Sequence, residues 1–369
     1  MRKTAKRQKI TLVEIAKLAG VSVATASRVA RGQSGVRLEL RQRVLDAASR
    51  LRVNLGDRNG SRIVAFLLCN REVLHPFHSS VLVGSEAFCA TQDYGLLFLP
   101  LQYAPSAPWR SLHIPAILGR RDIIRGVIAA GTTSQNLLDL LAESGTPFVV
   151  LGNNFIGPPA EGQYNTVYFD DIGGAHEATR YLQSLGHRDI WYVGNYRLPW
   201  FARREKGYRQ AMTEAGLPSH ALDVDSDDPE DLGYVAAKSV LKKGESASAF
   251  LAGDDAVARG VYKALQESGI RVHEDVSVVG FNDTLEARAL TPPLTTVRVF
   301  TELLGRKMAE LLVRQIVEPA TSPETLTIPT QLVKRESCRH FTAAMPRGGE
   351  RAAEGPSETE SSREAGDDN

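Results

Sequence analysis

From Arg62 onward the chain keeps repeating one pattern, a short apolar run followed by an amphipathic stretch, and this alternation narrows what it can fold into. The first series reads RIVAFLL, SSVLVGSEAFCATQD, GLLFLPL, GVIAAG, SQNLLDLLAESG and PFVVLGN. The second reads GGAHEATRYLQSLG, DIWYVGN, RREKGYRQAMTEAG, DLGYVAAKSVLKKG, AFLAGD, DAVARGVYKALQESG and VSVVGFN. The apolar runs have strand length, and the stretches between them carry apolar residues at helical spacing. Strands that alternate with helices form parallel sheets with helices on both faces. Two such series predict two α/β lobes. Ligands of open α/β sheets lie beyond the carboxyl ends of the strands, so the residues just after each strand are the candidates for a site.

Residues 10–51 follow a different pattern, with three short helical segments. TLVEIAKLAG places Leu12, Ile15, Ala16 and Ala19 on one face, with Thr11 as the capping residue. SVATASRVA is the second segment, reached through a short AGV turn. RLELRQRVLDAASRL is the third, with Leu40, Val44, Ala47 and Leu51 at helical spacing. Residues 52–61, RVNLGDRNGS, read as a linker. Residues 1–9 read as a disordered basic arm, and 341–369 as a disordered acidic tail without a core pattern.

The net charge of +1 hides a gradient. Residues 1–60 carry 14 Lys and Arg against 4 Asp and Glu, whereas 345–369 carry 3 against 7. A basic head on a near-neutral body predicts contact with a polyanion. No apolar run reaches the ~18 residues a membrane span needs, and no apolar segment follows the basic MRKTAKRQKI as a secretory signal requires. Three cysteines without a CxxC spacing fit a reducing, cytoplasmic setting and imply no metal framework and no cofactor. His75 and His78 flank Phe77 in HPFHS, which reads as loop chemistry and not as a metal site. Walker, zinc and G-x-S-x-G patterns are missing, so the chain is not read as an enzyme and no catalytic residue is assigned.

The paired segments at 11–31 suit a helix-turn-helix, whose second helix enters the major groove of double-stranded DNA. Ser22 is placed as the cap of that helix, and Val23, Ala24 and Thr25 form its first turn. Val23 and Ala24 are small enough to pack against thymine methyls, and Arg28, one turn on, reaches guanine or phosphate. Further, ITLVEIAKLAGVSVATASRVARGQSGV resembles the head of the lactose/galactose repressor family. The match runs through Thr11, Glu14, Ala16, Ala19, Gly20, Val21, Ser22, Thr25, Ser27, Arg28, Val29 and Gly32. The resemblance implies that Val23 and Ala24 read bases, that Ser22, Thr25 and Ser27 serve phosphate contacts and positioning, and that Arg28 lies near bases. Three departures stand out. Arg31 replaces a usual Asn and adds a possible phosphate contact. Arg37 occupies the position where Ser or Thr usually caps the third helix. The linker is about five residues shorter than the family's, with no legible hinge helix and Leu55 as its one candidate minor-groove wedge.

The resemblance continues to about residue 340 through YNTVYFDDIGGAHEATRYLQSLGHRDIWYVG, AFLAGDDAVARGVYKALQESGIRVHEDVSVVGFND and LTPPLTTVRV. It implies a two-lobed core with the periplasmic sugar-binding-protein fold and a small effector in its cleft. By that resemblance the effector meets Phe77, Arg204, Asp254 and Asn282, with Asn153 facing the cleft after PFVVLG and Asp255 structural. Trp200 and Phe201, in RLPWFARR, are candidates for an apolar wall. Some members stack an aromatic residue on the ligand where this chain has Asp228, so the expected effector is a sugar or polyol and not a purine. A homodimer reading a pseudo-palindromic operator follows. The basic head argues against a plain solute-binding protein.

Overall fold

The computed structural model describes residues 11–30, 35–51, 62–72, 75–157, 162–245, 247–319 and 322–341. The expectations placed on the basic arm, on Arg31, on the linker with Leu55 and on the acidic tail beyond 341 fall outside the described residues.

The head consists of α1 (Leu12–Ala19), α2 (Val23–Ala30) and α3 (Leu38–Arg50). The Glu14 carboxylate accepts the Thr11 N–H at 2.7 Å, which closes the start of α1. Gly20 takes the left-handed conformation (φ 63°) that ends α1, and the Val21 N–H reaches back to the Ala16 carbonyl at 3.0 Å. The buried core is Ile15, Ala16, Ala19, Ala26, Val29, Ala30, Val44, Ala47 and Ala48. Most of these are alanines, so the three helices close on one another over a thin core and leave slender outer faces. Arg37, directly before α3, accepts the Arg41 N–H on its carbonyl at 3.0 Å. Its side chain has only donors to offer a helix start, where acceptors are needed.

The body holds two six-stranded sheets. The first comprises β1 (Ile63–Cys69), β2 (Gly95–Leu101), β3 (Ile124–Gly131), β5 (Phe148–Leu151), β7 (Asn165–Phe169) and β13 (Thr325–Ile328), all parallel, in the order β13-β7-β5-β3-β1-β2. A short pair, β4 (Thr133–Ser134) and β6 (Phe155–Ile156), lies beside it. The second sheet comprises β8 (Ile190–Gly194), β9 (His220–Asp223), β10 (Ala249–Ala252), β11 (Ser277–Asn282), β12 (Thr295–Arg298) and β14 (Gln331–Val333), in the order β14-β12-β11-β10-β8-β9. Only β14 runs antiparallel to its neighbour. Helices α4 (Pro76–Thr91), α5 (Gln135–Glu143) and α11 (Thr301–Val317) belong to the first lobe. Helices α6 (Asp171–Ser184), α7 (Pro199–Glu214), α8 (Pro229–Lys242), α9 (Asp255–Glu267) and the short α10 (Leu285–Ala289) belong to the second.

Each of the two series builds one lobe, but neither lobe is a single continuous stretch of chain. The chain crosses to the second lobe between β7 and α6, returns between β12 and α11, and crosses again between β13 and β14. The late segments α11 and β13 complete the first lobe, a return that strand–helix alternation does not announce. All three cysteines are buried thiols. Among the described residues no helix is long and apolar enough to cross a membrane.

Helix pairs within the lobes meet backbone to backbone. A β-carbon on Gly84 of α4 would lie 1.9 Å from the Glu302 carbonyl oxygen of α11, and one on Gly305 the same distance from the Val81 oxygen. The Ser85 hydroxyl donates to the Gly305 carbonyl at 3.0 Å across the same contact. Helices α8 and α9 meet likewise, at Gly233 and Gly260. Gly305→Ala is expected to lower the melting temperature through overpacking of about 1–3 kcal/mol, and an unchanged melting curve would refute the contact.

Asp255, fully buried at the start of α9, ties the second lobe together. Its carboxylate accepts the Thr284 N–H at 2.7 Å and the Thr296 hydroxyl at 2.6 Å. Burial raises its pKa to about 7. An unfolded aspartate ionises near ~3.9, so between about pH 4 and 7 the unfolded state has released a proton that the folded state keeps. Stability should therefore fall as pH rises through that window and level off above it. Asp255→Asn should remove this part of the slope, read as a smaller difference between urea midpoints at pH 5 and pH 8.

Candidate functional site

Among the described residues, two places have the makings of a site: the outer face of α2 and the cleft between the lobes. At the head, the Ser22 hydroxyl accepts the Thr25 N–H at 3.0 Å and lies 2.8 Å from the Thr25 hydroxyl, so Ser22 caps α2. Ala26, Val29 and Ala30 face the core. Val23, Ala24 and Arg28 are exposed, and Thr25 and Ser27 are half-buried beside them. Thr11 is exposed at the start of α1, with its N–H and hydroxyl both directed to Glu14. An exposed valine and alanine at a helix start add nothing to the core. They give the helix a narrow apolar tip beside its positive dipole end, with a guanidinium one turn further on.

The cleft lies at the carboxyl ends of both sheets and encloses about 630 Å³. The first lobe contributes Asn70, Arg71 and Glu72 beyond β1, and His75, Phe77 and His78 at the start of α4. The second contributes Trp200 and Arg204 from α7, Asp254 after β10 and Asn282 at the end of β11. Of the seven residues expected at the effector, six line this cleft: Phe77, Trp200, Phe201, Arg204, Asp254 and Asn282.

Asn153 does not. It is fully buried, donates to the Phe169 carbonyl at 2.8 Å and accepts the Phe169 N–H at 2.9 Å. Both ends of its amide are spent on the crossing between the lobes. Its neighbour Asn154 is the residue that reaches the cleft wall. The expectation was off by one position because the chain turns after β5 through a short 3-10 segment, Gly152–Asn154, and does not continue as a strand.

Arg204 is buried, and burial lowers its pKa. Its guanidinium lies 3.9 Å from the centroid of the Phe281 ring and donates to the Asn282 side-chain oxygen at 3.1 Å and to the Gly253 carbonyl. Its Nε–H has no partner. Asn282 holds a positive φ of 110°, a conformation an Asn tolerates better than most side chains. Asp254 caps α9 by accepting the Val257 N–H at 2.8 Å, and burial raises its pKa. The next acid after Asn282, Asp283, is held by Arg298 at 2.7 Å and by Arg335, so it is structural. Asp228, at the position that lacks an aromatic ring, caps α8 through the Glu230 and Asp231 N–H groups at 2.8 and 3.0 Å.

Phe77 packs on Phe169, their centroids 5.7 Å apart. His78 is buried, and burial drives its pKa down to about 3, so it is neutral; its Nδ1 has no partner. Loss of solvation also lowers the pKa of His75, whose Nδ1 accepts the Phe77 N–H at 3.3 Å. Among the described residues no group of His, Cys, Asp and Glu is arranged to hold a metal ion. Several cleft residues escaped the sequence reading, Asn70, Arg71, Glu72 and Asn154 among them. Arg71 belongs to no motif, and its position just past β1 was the only signal that pointed to it.

Residues 11–52 match the family model of bacterial regulatory proteins of the lacI family, and residues 179–338 match that of a periplasmic binding protein-like domain. The HTH-type transcriptional regulator CelR of Thermobifida fusca is 31% identical over 90% of this chain and 99% of its own length. The HTH-type transcriptional repressor PurR of Glaesserella parasuis serovar 5 (strain SH0165) is 28% identical over 90% of this chain and 99% of its own. Among solved structures, a transcriptional regulator CelR–cellobiose complex matches with a TM-score of 0.66 at 30% identity, over 89% of this chain and all 100% of that one. A lac repressor dimer bound to operator and the anti-inducer ONPF matches in fold, with a TM-score of 0.70 at 22% identity over 90% and 100%. A helix-turn-helix head with a narrow reading helix, a two-lobed body with a polar cleft and a relative alike over nearly its whole length lead to one assignment: the chain belongs to the lacI family of bacterial regulatory proteins and is a DNA-binding transcriptional regulator.

Proposed function

We propose that the protein works in the cytoplasm as a homodimeric operator-binding regulator, controlled by an uncharged sugar or polyol held between its lobes. The observation that carries this reading is the pairing, in one cleft, of a buried arginine, Arg204, and a half-buried amide, Asn282, with aromatic walls at Phe77 and Trp200. Hydroxyl groups both donate and accept. They suit a cleft that offers guanidinium donors, the Asp254 carboxylate and an amide that does both. The two histidines have lowered pKa values, and Glu72, Asp227, Asp228 and Asp254 outnumber the two arginines, so a phosphorylated or acidic ligand is disfavoured. Where some family members stack a ring on the ligand, this chain has Asp228, whose carboxylate caps α8, which argues against a purine. The cellobiose bound in the CelR complex agrees with this ligand class.

Each head takes one half-site of a pseudo-palindromic duplex, with Val23 and Ala24 against base edges and Ser22, Thr25, Ser27 and Arg28 around them. The lac repressor, which shares the fold, is found on its operator as a dimer. The effector contacts both lobes, so it favours the closed body and shifts the population of dimers whose heads are spaced for DNA.

Ala24→Leu should alter the preferred base at one symmetric pair of operator positions by about 1–3 kcal/mol. Selection from a randomised operator library reads this, and an unchanged consensus would overturn the assignment of Ala24. Arg204→Ala should abolish the effector response and leave operator affinity in place. Calorimetry across neutral mono- and disaccharides, cellobiose included, would refute the role of Arg204 if the variant bound its sugar as tightly as the parent protein.

A further inference from the structure

Arg71 sits in the first lobe, two positions past β1, and its guanidinium carbon lies 4.1 Å from the ring centroid of Trp200, at the start of α7 in the second lobe. This contact therefore crosses the cleft. Asp254, Glu72 and Asp227 are near enough to favour the charge of Arg71, yet burial outweighs them and lowers its pKa to about 10. Among the described residues none of these carboxylates forms an ion pair with it, and its buried Nε–H has no hydrogen-bond partner. A desolvated guanidinium with unmet donors is costly unless an acceptor arrives to meet them. Stacking on an indole face holds the plane of the fork and leaves its edge, where the N–H groups lie, free to donate.

We propose that Arg71 is an effector-contacting residue that helps determine specificity. Trp200 clamps its guanidinium across the cleft so that the edge donates to hydroxyl or ring oxygens of the bound sugar from the first lobe, as Arg204 does from the second. Two planar forks, one on each lobe, require a ligand with oxygens on two sides, which favours a disaccharide or an open polyol over a small monohydroxylic compound. This proposal rests on the reading of the cleft as a sugar site.

The test uses full-length Arg71→Ala, Arg71→Lys, Trp200→Leu and Arg204→Ala, each titrated by calorimetry with cellobiose and the same panel of neutral sugars. Melting curves and operator affinity without sugar serve as the check on folding. For any sugar that the parent protein binds, Arg71→Ala should bind at least tenfold more weakly. Arg71→Lys should lie closer to Arg71→Ala than to the parent, since an ammonium lacks the planar fork, and Trp200→Leu should also weaken binding. Loss of binding in Arg204→Ala but not in Arg71→Ala would overturn this proposal alone. Tighter binding in Arg71→Ala would do the same, because Arg71 would then merely cover the Trp200 face. Failure of the parent protein to bind any sugar of the panel would remove the sugar reading, and this proposal with it.

Discussion

Three short backbone crossings, after Phe169, after Arg298 and after Ile328, join the two lobes, and the character of the cleft follows from them. They bring the carboxyl ends of two sheets against one gap, so strand-end residues from both lobes become neighbours there. Asn153 takes its meaning from the same constraint. Its amide satisfies both backbone groups of Phe169, the last residue of β7, where the ladder ends and the chain leaves the sheet. Beside it, buried Asp171 is paired with Arg203 at 2.9 Å, so the first crossing is held from both sides. A residue that seemed to belong to the ligand instead belongs to the hinge.

Most of the architecture could be read from the order of residues, for a physical reason. Period and length separate strands from helices locally, and the capping signals at Thr11, Gly20 and Ser22 act within a few residues of themselves. The site was legible where it followed from strand ends or from the family pattern, as with Arg204 and Asn282. What escaped was non-local. Membership of α11 and β13 in the first lobe depends on the return of the chain, which no window of sequence contains. The choice between Asn153 and Asn154 depends on a single 3-10 turn that rotates one side chain inward and the next toward the gap. Arg71 depends on an indole 129 positions away in the numbering of the chain.

The polar groups of the body divide by what surrounds them. Asp255 is fully buried and the Asp283 carboxylate is shielded from solvent, and both are fully engaged: Asp255 by a hydroxyl and a backbone N–H, Asp283 by arginines. They hold β11, β12 and α9 in place. The Nε–H groups of Arg204 and Arg71 and the Nδ1 of His78 are buried without partners, and all three residues line the cleft. Unpartnered buried atoms also occur elsewhere, as at Thr133, Gln183, Tyr196 and Gln315, but these three converge on one gap that a ligand can fill.

The glycine contacts between α4 and α11 and between α8 and α9 bear on how such a body can move. Helices in backbone contact have no layer of side chains that can rearrange to let them slide, so each lobe turns as a plate. Strain introduced at the gap is then not absorbed inside a lobe. It is carried to the lobe's far edge as rotation, and a sub-ångström change around a ligand becomes a larger displacement where the first lobe connects to the DNA-binding head, as motion at a hinge grows along a stiff arm.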